Sequence, residues 1–331
     1  MKLEWQVGSQ AGFPIWCGAD AHELIYFEGS AILVLDMRSR EHAQPQLAAQ
    51  VPAYVRSFTC AADGRRAYFL SANEKILYLL QLQPLQLTRL VESQQGLFRV
   101  NWPHIVSPAG HYVVGADDFP DTIPVPGGPE LRVVKGFVPP GVRNKPASIA
   151  WSDDERQLFV FGSLPQQLSV YDTFDGKASK FNFPLAGMSS AIHPLGGQAT
   201  QLLVMSGEGA KDNIYDWRYT PTGQTPQLIV GDTSDDSIHA SAGGTLVFSR
   251  ARYRGNTADT PGESTPLPYA TEVDLIRDGK QYTLDTLAAP STTGDPAITR
   301  DGTGVAYIKT IQSGLRRVGD TTNTLVVRLE K

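Results

Sequence analysis

The sequence is poor in cysteine, in excess charge of either sign and in long apolar runs. Two cysteines in 331 residues are too few for a disulfide scaffold. The 29 Lys and Arg side chains are offset by 34 Asp and Glu side chains, so no basic footprint for nucleic acid is present. No apolar run approaches the roughly 18 residues of a membrane-spanning helix. What remains is a well-cored globular chain, whose 31 Gly and 23 Pro indicate many turns and favour an all-β fold.

A tight turn followed by an apolar run recurs seven times along the chain. The copies are anchored at residues 20, 63, 109, 154, 196, 243 and 301, with spacings of 42 to 58 residues. A period of about 40–50 residues is typical of β-propeller blades. The distance from the last anchor to the C-terminus and on to the first anchor is one further normal period. The repeat therefore predicts a seven-bladed propeller, and the 58-residue spacing leaves six or eight blades as alternatives.

The strands within a copy are clearest in the fourth one. Apolar or alternating runs at 148–151, 158–161, 168–172 and 179–183 predict four strands, and Asp175-Gly176 is a hairpin signal between the last two. The final copy has only three such runs. Leu3, Trp5 and Val7 alternate with polar residues at the other end of the chain, as in a half-buried strand. We therefore expect one domain, 1–331, in which this N-terminal strand completes the last blade and closes the ring.

Parts of a Ser-Pro-Asp-Gly turn recur at the starts of the copies, in Asp63-Gly64, Ser107-Pro108 and Asp301-Gly302. Together with the apolar strand after each turn and the later 170–176 segment, they resemble the TolB-like repeats of WD-like propellers. The resemblance covers nearly the whole chain, although the four-residue turn never appears intact. That family includes accessory and scaffold proteins and propeller domains attached to peptidases. The resemblance therefore implies binding more readily than chemistry.

Histidines are the best candidates for a catalytic or metal site. His104, His193 and His239 fall on or near the first strands of three blades, and first strands surround a propeller's axis, where three imidazoles would suit a metal. Strand alternation, however, places His104 and His239 on opposite faces, and no carboxylate accompanies them. We interpret the three as wall residues and predict no metal and no cofactor. Cys17 and Cys60 occupy equivalent positions in adjacent blades and are expected to be two reduced, buried thiols.

The links between second and third strands indicate where a partner binds. They are long in blade 3 (about 115–130), blade 6 (250–269) and blade 7 (309–323) and intermediate in blade 5 (206–212), and all emerge on one face. Long loops on rigid scaffolds usually carry binding. The acids of blade 3 are alternatively a cation site or a solvated loop, and the arginines of blade 6 a solvated strand end. The predicted partner-binding residues are Asp117, Asp118, Asp121, Arg250, Arg252, Arg254, Arg316 and Arg317.

These observations favour a non-enzymatic binding module for a protein or peptide partner, either monomeric or part of a larger assembly, without nucleic-acid binding or membrane insertion. The alternative is an enzyme such as a lyase, hydrolase or lactonase with its site at the propeller axis. Carboxylates and histidines converging at the axis would favour the enzyme, and Ile, Val and Ala side chains there would favour the binding module. The chain is expected to be cytoplasmic as encoded, or periplasmic or extracellular if a leader has been removed.

Overall fold

The structure is a computed structural model of the chain. It describes residues 1–17, 22–51, 55–71, 75–94, 105–115, 118–135, 146–163, 166–185, 188–195, 200–208, 211–220, 224–233, 238–253, 268–312 and 321–330. Its seven sheets follow one another along the chain as seven blades in a ring, which confirms the predicted count. Within the 58-residue spacing, every strand that the structure describes either belongs to blade 6 or is the first strand of blade 7.

Five of the seven blades have the same plan. Four antiparallel strands follow in sequence order, from the innermost strand at the axis to the outermost strand at the rim. These strands are β2 (Ala11–Cys17), β3 (Glu23–Glu28), β4 (Ala31–Asp36) and β5 (Gln46–Gln50) in blade 1; β6 (Val55–Cys60), β7 (Arg66–Ser71), β8 (Ile76–Leu82) and β9 (Leu85–Glu92) in blade 2; β13 (Pro146–Trp151), β14 (Gln157–Ser163), β15 (Gln166–Asp172) and β16 (Ala178–Asn182) in blade 4; β17 (Met188–Pro194), β18 (Gln201–Glu208), β19 (Lys211–Arg218) and β20 (Gln227–Thr233) in blade 5; and β21 (His239–Ala240), β22 (Leu246–Arg252), β23 (Ala270–Arg277) and β24 (Lys280–Ala288) in blade 6.

The second strands form the hydrophobic layers between blades. Both faces of β3 and β7 are buried over five consecutive residues, because each second strand is covered by a neighbouring blade on either side. This explains why the sequence has continuous apolar runs there rather than an alternating pattern. The only helix among the described residues is a short 3₁₀ helix, Met37–His42. Among those residues no helix is long and apolar enough to cross a membrane.

The N-terminal strand closes the ring as predicted. Blade 7 consists of β25 (Thr292–Ile298), β26 (Gly304–Gln312), β27 (Thr321–Leu329) and, as its outermost strand, β1 (Lys2–Val7). Strands β1 and β27 are antiparallel, with Trp5 opposite Leu325. Leu3, Trp5 and Val7 pack on the core shared by blades 7 and 1, and the Trp5 indole N–H donates to the carbonyl of Ala43 at 3.0 Å.

Blade 3 departs from the common plan. It contains β10 (Tyr112–Val114), β11 (Thr122–Ile123) and β12 (Leu131–Val134), in the spatial order β10-β12-β11. Strand β12 runs parallel to β10 and antiparallel to β11. The 115–130 segment was predicted to be a loop on the face of the second-to-third-strand links, but it supplies the two-residue outer strand β11. Its second half therefore lies on the opposite face, where Glu130 lines a groove together with Glu155. Phe119 and Ile123 are buried in the core on the way, so part of this segment is structural.

The recurring turn has one backbone geometry in five blades. The amide three residues after the first turn residue donates to that residue's carbonyl at 2.9–3.0 Å, and the donating residue has a positive φ. Glycine tolerates this left-handed conformation without steric cost. The donating residues are Gly64, Gly110, Glu155, Gly244 and Gly302. Glu155 in blade 4, with a φ of 59°, is the exception to glycine.

The prediction of two reduced thiols is wrong. Cys17 at the end of β2 and Cys60 at the end of β6 form a disulfide, with their Cα atoms 5.2 Å apart. That distance lies inside the usual range for a disulfide. Innermost strands converge on the axis, so equivalent positions of adjacent blades lie closer there than further out. The disulfide joins blade 1 to blade 2 at the centre of the ring.

Candidate functional site

The predicted partner-binding residues that the structure describes belong to the link face, the face that carries the second-to-third-strand links, such as 209–210 and 253–269. The described acids of blade 3 have intramolecular partners there. The Asp118 carboxylate accepts from the Ser93 hydroxyl at 2.9 Å and from the backbone N–H of Gln94 at 2.8 Å. Asp121 is exposed and forms an ion pair with Lys135 at 2.9 Å. Asp117 lies outside the described residues.

Arg250 and Arg252 lie within strand β22 rather than in a loop. The Arg252 Nε donates to Glu272 on β23 at 2.6 Å. Arg250 lies 3.9 Å from the fully buried Asp274, and its guanidinium stacks over Phe248, 5.3 Å from the ring centroid. Antiparallel pairing of β22 and β23 places these acids diagonally opposite the arginines. Both cations are therefore neutralised by the neighbouring strand of the same blade.

The predicted face carries fewer long links in the structure than expected. Arg254, Arg316 and Arg317 lie outside the described residues. In blade 5, β18 continues to Glu208 and β19 begins at Lys211, so its link spans only 209–210. The prediction that blade 5 carries an intermediate loop is wrong for this reason. Blades 6 and 7 retain links outside the described residues at 254–267 and 313–320.

A concavity lies on the opposite side, at the axis. We call this side the turn face, because it carries the first-to-second-strand turns, such as 61–66, 107–112 and 299–304. A cavity of about 220 Å³ opens there between the innermost strands. The described walls come from all seven blades and are mainly small or apolar. The lining side chains include Trp16, Cys60, Ala61, Val106, Ala150, Trp151, His193, Ala240 and Ile298.

A rim of equivalent residues surrounds the mouth of this axial cavity. Each rim residue follows the first residue of a repeated turn, and the described members lining the cavity are Ala62, Pro108, Asp153, Ala242 and Arg300. Neighbouring blades are joined along the rim. The Ala62 N–H donates to the carbonyl of Pro108 at 2.6 Å, and the Ala242 N–H to that of Arg300 at 2.9 Å.

Asp153 and Arg300 form an ion pair across the mouth, with a closest N–O distance of 3.0 Å. Asp153 belongs to blade 4 and Arg300 to blade 7, and these blades share no seam. Sequence reasoning missed the pair. The sequence nevertheless contains a signal for this ion pair. Trp151 and Ile298 occupy the same register of the repeat, and Asp153 and Arg300 follow them by two residues. Two opposite charges at one repeat position near the axis indicate a pair across the ring.

His193 is a wall residue of the axial cavity, as predicted, and it is neutral at pH 7. Burial lowers its pKa from 6.5 to about 4, and the neighbouring His239 lowers the pKa further. His104 lies outside the described residues. Within the part of the chain that the structure describes, no three His, Cys, Asp or Glu side chains form a group able to hold a metal. The mouth thus offers one neutral imidazole and one internally neutralised ion pair over apolar walls.

No protein-family model matches the sequence, and no curated protein matches it. Solved structures do match in fold. The chain resembles the "Cps50 (Swd1) beta-propeller domain" of Myceliophteria thermophila with a TM-score of 0.59 and 12% identity, covering 97% of this chain and 98% of that one. It also resembles a chain of the "Mitotic Checkpoint Complex" with a TM-score of 0.54 and 13% identity, covering 97% and 87%. At these identities the likeness concerns the fold alone, a seven-bladed β-propeller.

Proposed function

We propose that this protein is a non-enzymatic interaction module that binds a protein or peptide partner on a rigid propeller, as one domain. The observation that carries the proposal is the lining of the axial cavity. His193, Asp153 and Arg300 are its only ionisable side chains among the described residues, and the last two neutralise each other. Alanine, valine and isoleucine make up much of the wall. An axial enzyme needs convergent acids and bases, and this lining favours the binding module.

The link face is the proposed partner surface, through the links of blades 3, 6 and 7. The long links of blades 6 and 7 are adjacent in the ring, and they emerge from strands that are paired to their ends. A WD-like fold with a neighbour that belongs to a complex supports a protein partner. We also propose that the chain is related to the TolB-like repeats. The residues proposed to contact the partner are Asp117, Asp118, Asp121, Arg250, Arg252, Arg254, Arg316 and Arg317.

The disulfide bears on the compartment in which the module works. Disulfides persist in oxidising environments and are rare in the cytosol. The Cys17–Cys60 bond therefore supports the periplasmic or extracellular alternative over the cytoplasmic expectation. Alkylation of the native protein without reductant, followed by mass spectrometry, tests this directly. Two alkylated cysteines in protein taken from its native source would contradict the oxidising compartment.

The experiment for the link face is replacement of residues 255–266 by a short Gly/Ser turn. This segment has no large apolar side chain, and loop length changes closure entropy slowly, so stability should fall by less than about 1 kcal/mol. Binding of a purified partner, first identified by crosslinking to the wild-type protein, should weaken. The binding should also weaken with added salt.

The matched control is Arg65→Glu on the turn face. Arg65 is exposed, whereas the adjacent Arg66 is 8% exposed and donates to Asp63 and Tyr68, so charge reversal at Arg66 would disturb the fold. Arg65→Glu should leave binding of that partner unchanged. A partner lost by Arg65→Glu and kept by the link replacement would show that the partner surface is on the other face.

A further inference from the structure

We infer that the groove between blades 3 and 4 on the turn face is a second docking site, for a peptide segment that carries one or two carboxylates beside an apolar side chain. The inference goes beyond the proposed function, because it concerns the opposite face. The groove has a volume of about 650 Å³. The lining residues that matter for ligand binding are His111, Arg132, Glu155, Arg156 and Phe174.

The groove is rigid because Glu155 holds its two walls together. This carboxylate is 6% exposed and accepts from the backbone N–H of Ala109 at 2.6 Å, while its other oxygen contacts His111 Nδ1 at 2.7 Å. The Thr173 hydroxyl donates to the Glu155 carbonyl at 2.8 Å. These contacts tie the blade 3 turn to both turns of blade 4. A site with fixed walls loses little entropy when a ligand binds.

Two of the three carboxylates in the groove have intramolecular hydrogen bonds. Glu155 uses both of its oxygens, and the Oδ1 atom of Asp154 accepts from the Ser152 hydroxyl at 2.6 Å and the backbone N–H of Arg156 at 3.1 Å. Glu130 is the remaining acid. The groove therefore presents fewer available acceptors than its number of acids suggests.

The two guanidinium groups are available. Arg132 and Arg156 are exposed, and Arg132 has no side-chain hydrogen bond or ion pair with any described residue. Arg156 has an electrostatic interaction with Asp154, whose Oδ1 accepts both hydrogen bonds given above. Guanidinium groups bind carboxylates with paired hydrogen bonds. The hydrogen-bond donors available in the groove are thus complementary to a single carboxylate on a ligand.

Phe174 supplies the apolar contact. It is 94% exposed, the most exposed of the large hydrophobic side chains in the described part of the chain. Its backbone N–H donates to the Asp172 carboxylate at 2.8 Å, and the Gly176 N–H donates to the Asp172 carbonyl at 2.9 Å. The turn therefore holds the backbone of Phe174 in place, with the ring in solvent. Exposed aromatic side chains are frequent anchors in interfaces.

Glu130 and the paired acids disfavour a polyanion such as nucleic acid, because a run of phosphates would approach them as well as the arginines. A peptide with one or two carboxylates next to an aromatic or aliphatic residue places charge only where the arginines are. This is the occupant to which the observations point.

The test begins with selection of peptides from a random displayed library on the full-length protein. The enriched sequences should combine Asp or Glu with a neighbouring apolar residue. One selected peptide, synthesised with a fluorescent label, is then titrated by anisotropy. Arg132→Glu and Arg156→Glu should each weaken binding about tenfold or more, and Phe174→Ala about fivefold. All three residues are exposed, so the variants should keep the wild-type melting temperature.

Three controls decide the outcome. Arg65→Glu reverses an exposed arginine of the same face outside the groove and should bind like wild type, as should the 255–266 replacement. Enriched peptides without carboxylates, or full binding by the two arginine variants, would overturn the inference. So would stronger competition by a single-stranded oligonucleotide than by the unlabelled peptide. Loss of binding only in the 255–266 replacement would assign the peptide to the link face and leave the groove empty.

Discussion

The link face and the turn face differ in what happens to their charged side chains. On the link face, each described residue of the predicted set has an intramolecular partner, such as Glu272 for Arg252. On the turn face, Arg156 projects from a turn tip, and Arg132 lies in the paired strand β12 opposite the uncharged Tyr112 and Thr122. Strand pairing neutralises a charge only where the facing strand supplies the opposite charge. A charged residue is therefore a better binding candidate at a turn tip, or opposite uncharged neighbours, than in a strand that faces acids.

Deletion of residues 1–8 is the largest expected perturbation, and it should weaken both faces at once. It removes Leu3, Trp5 and Val7 from the last blade and exposes the edge of β27. Full burial of such side chains is worth about 1.5–3 kcal/mol each, and these are partly buried, so a loss of several kcal/mol is expected. Thermal unfolding followed by circular dichroism measures it. An unchanged melting temperature would contradict closure of the ring by β1.

Loss of the disulfide should loosen the innermost strands of blades 1 and 2 at the axis. The turn face should therefore be affected first. The closed loop separates the cysteines by 43 residues, for which loop entropy alone corresponds to about 4 kcal/mol. Reductant should lower the melting temperature of the wild-type protein. The Cys17→Ser/Cys60→Ser variant should melt low both with and without reductant. A wild-type melting temperature that ignores reductant would argue against the bond.

Acid should destabilise the axial cavity through His193. The pKa of His193 is about 4 in the folded protein, and the ordinary value for histidine, which applies to the unfolded chain, is 6.5. The unfolded chain therefore binds more protons between pH 4 and pH 6.5. Stability is therefore complete above pH 6.5 and falls as the pH drops to 4, by up to about 3 kcal/mol. Urea unfolding of the wild type and of His193→Asn across this range isolates the effect, because other groups titrate in both. Equal slopes would contradict a neutral His193 in the wall of the axial cavity.

The smallest expected effect is that of the Asp153–Arg300 pair. Both side chains are about two-fifths exposed, and exposed ion pairs contribute about 0–1 kcal/mol. A double-mutant cycle with alanine at both positions should give a coupling in that range. The Lys135–Asp121 pair of the link face is the matched control. A coupling above about 2 kcal/mol for Asp153–Arg300 but not for Lys135–Asp121 would mean that ion pairs on the two faces differ in strength as well as in exposure.

Much of the fold was predictable because each repeat is formed by residues that are close together in the sequence. Turns such as Ser152–Glu155 form hydrogen bonds within a few residues, and the alternation of Leu3, Trp5 and Val7 identifies a half-buried strand without its partner. The parallel pairing of β12 with β10 was not predictable, because the period of apolar residues does not encode strand direction. The disulfide was missed because its geometry depends on the convergence of two innermost strands at the axis.

The candidate sites were less predictable than the fold, because charge neutralisation is a property of neighbours. Arg250 and Arg252 are spaced two apart as expected for one strand face, yet Asp274 and Glu272 come from β23, twenty or more residues later. The groove between blades 3 and 4 was missed for the same reason. Phe174 and Arg132 lie in different blades, and no local pattern connects them.

The ion pair across the axial mouth has a mechanical consequence. Adjacent blades of a propeller are coupled through their shared hydrophobic seams, so a deformation ordinarily spreads from one blade to the next. The Asp153–Arg300 contact is a chord that connects blade 4 directly to blade 7. It resists widening of the ring along one diameter, and salt screens such an exposed contact. Added salt therefore weakens the described contact that joins these two blades across the ring.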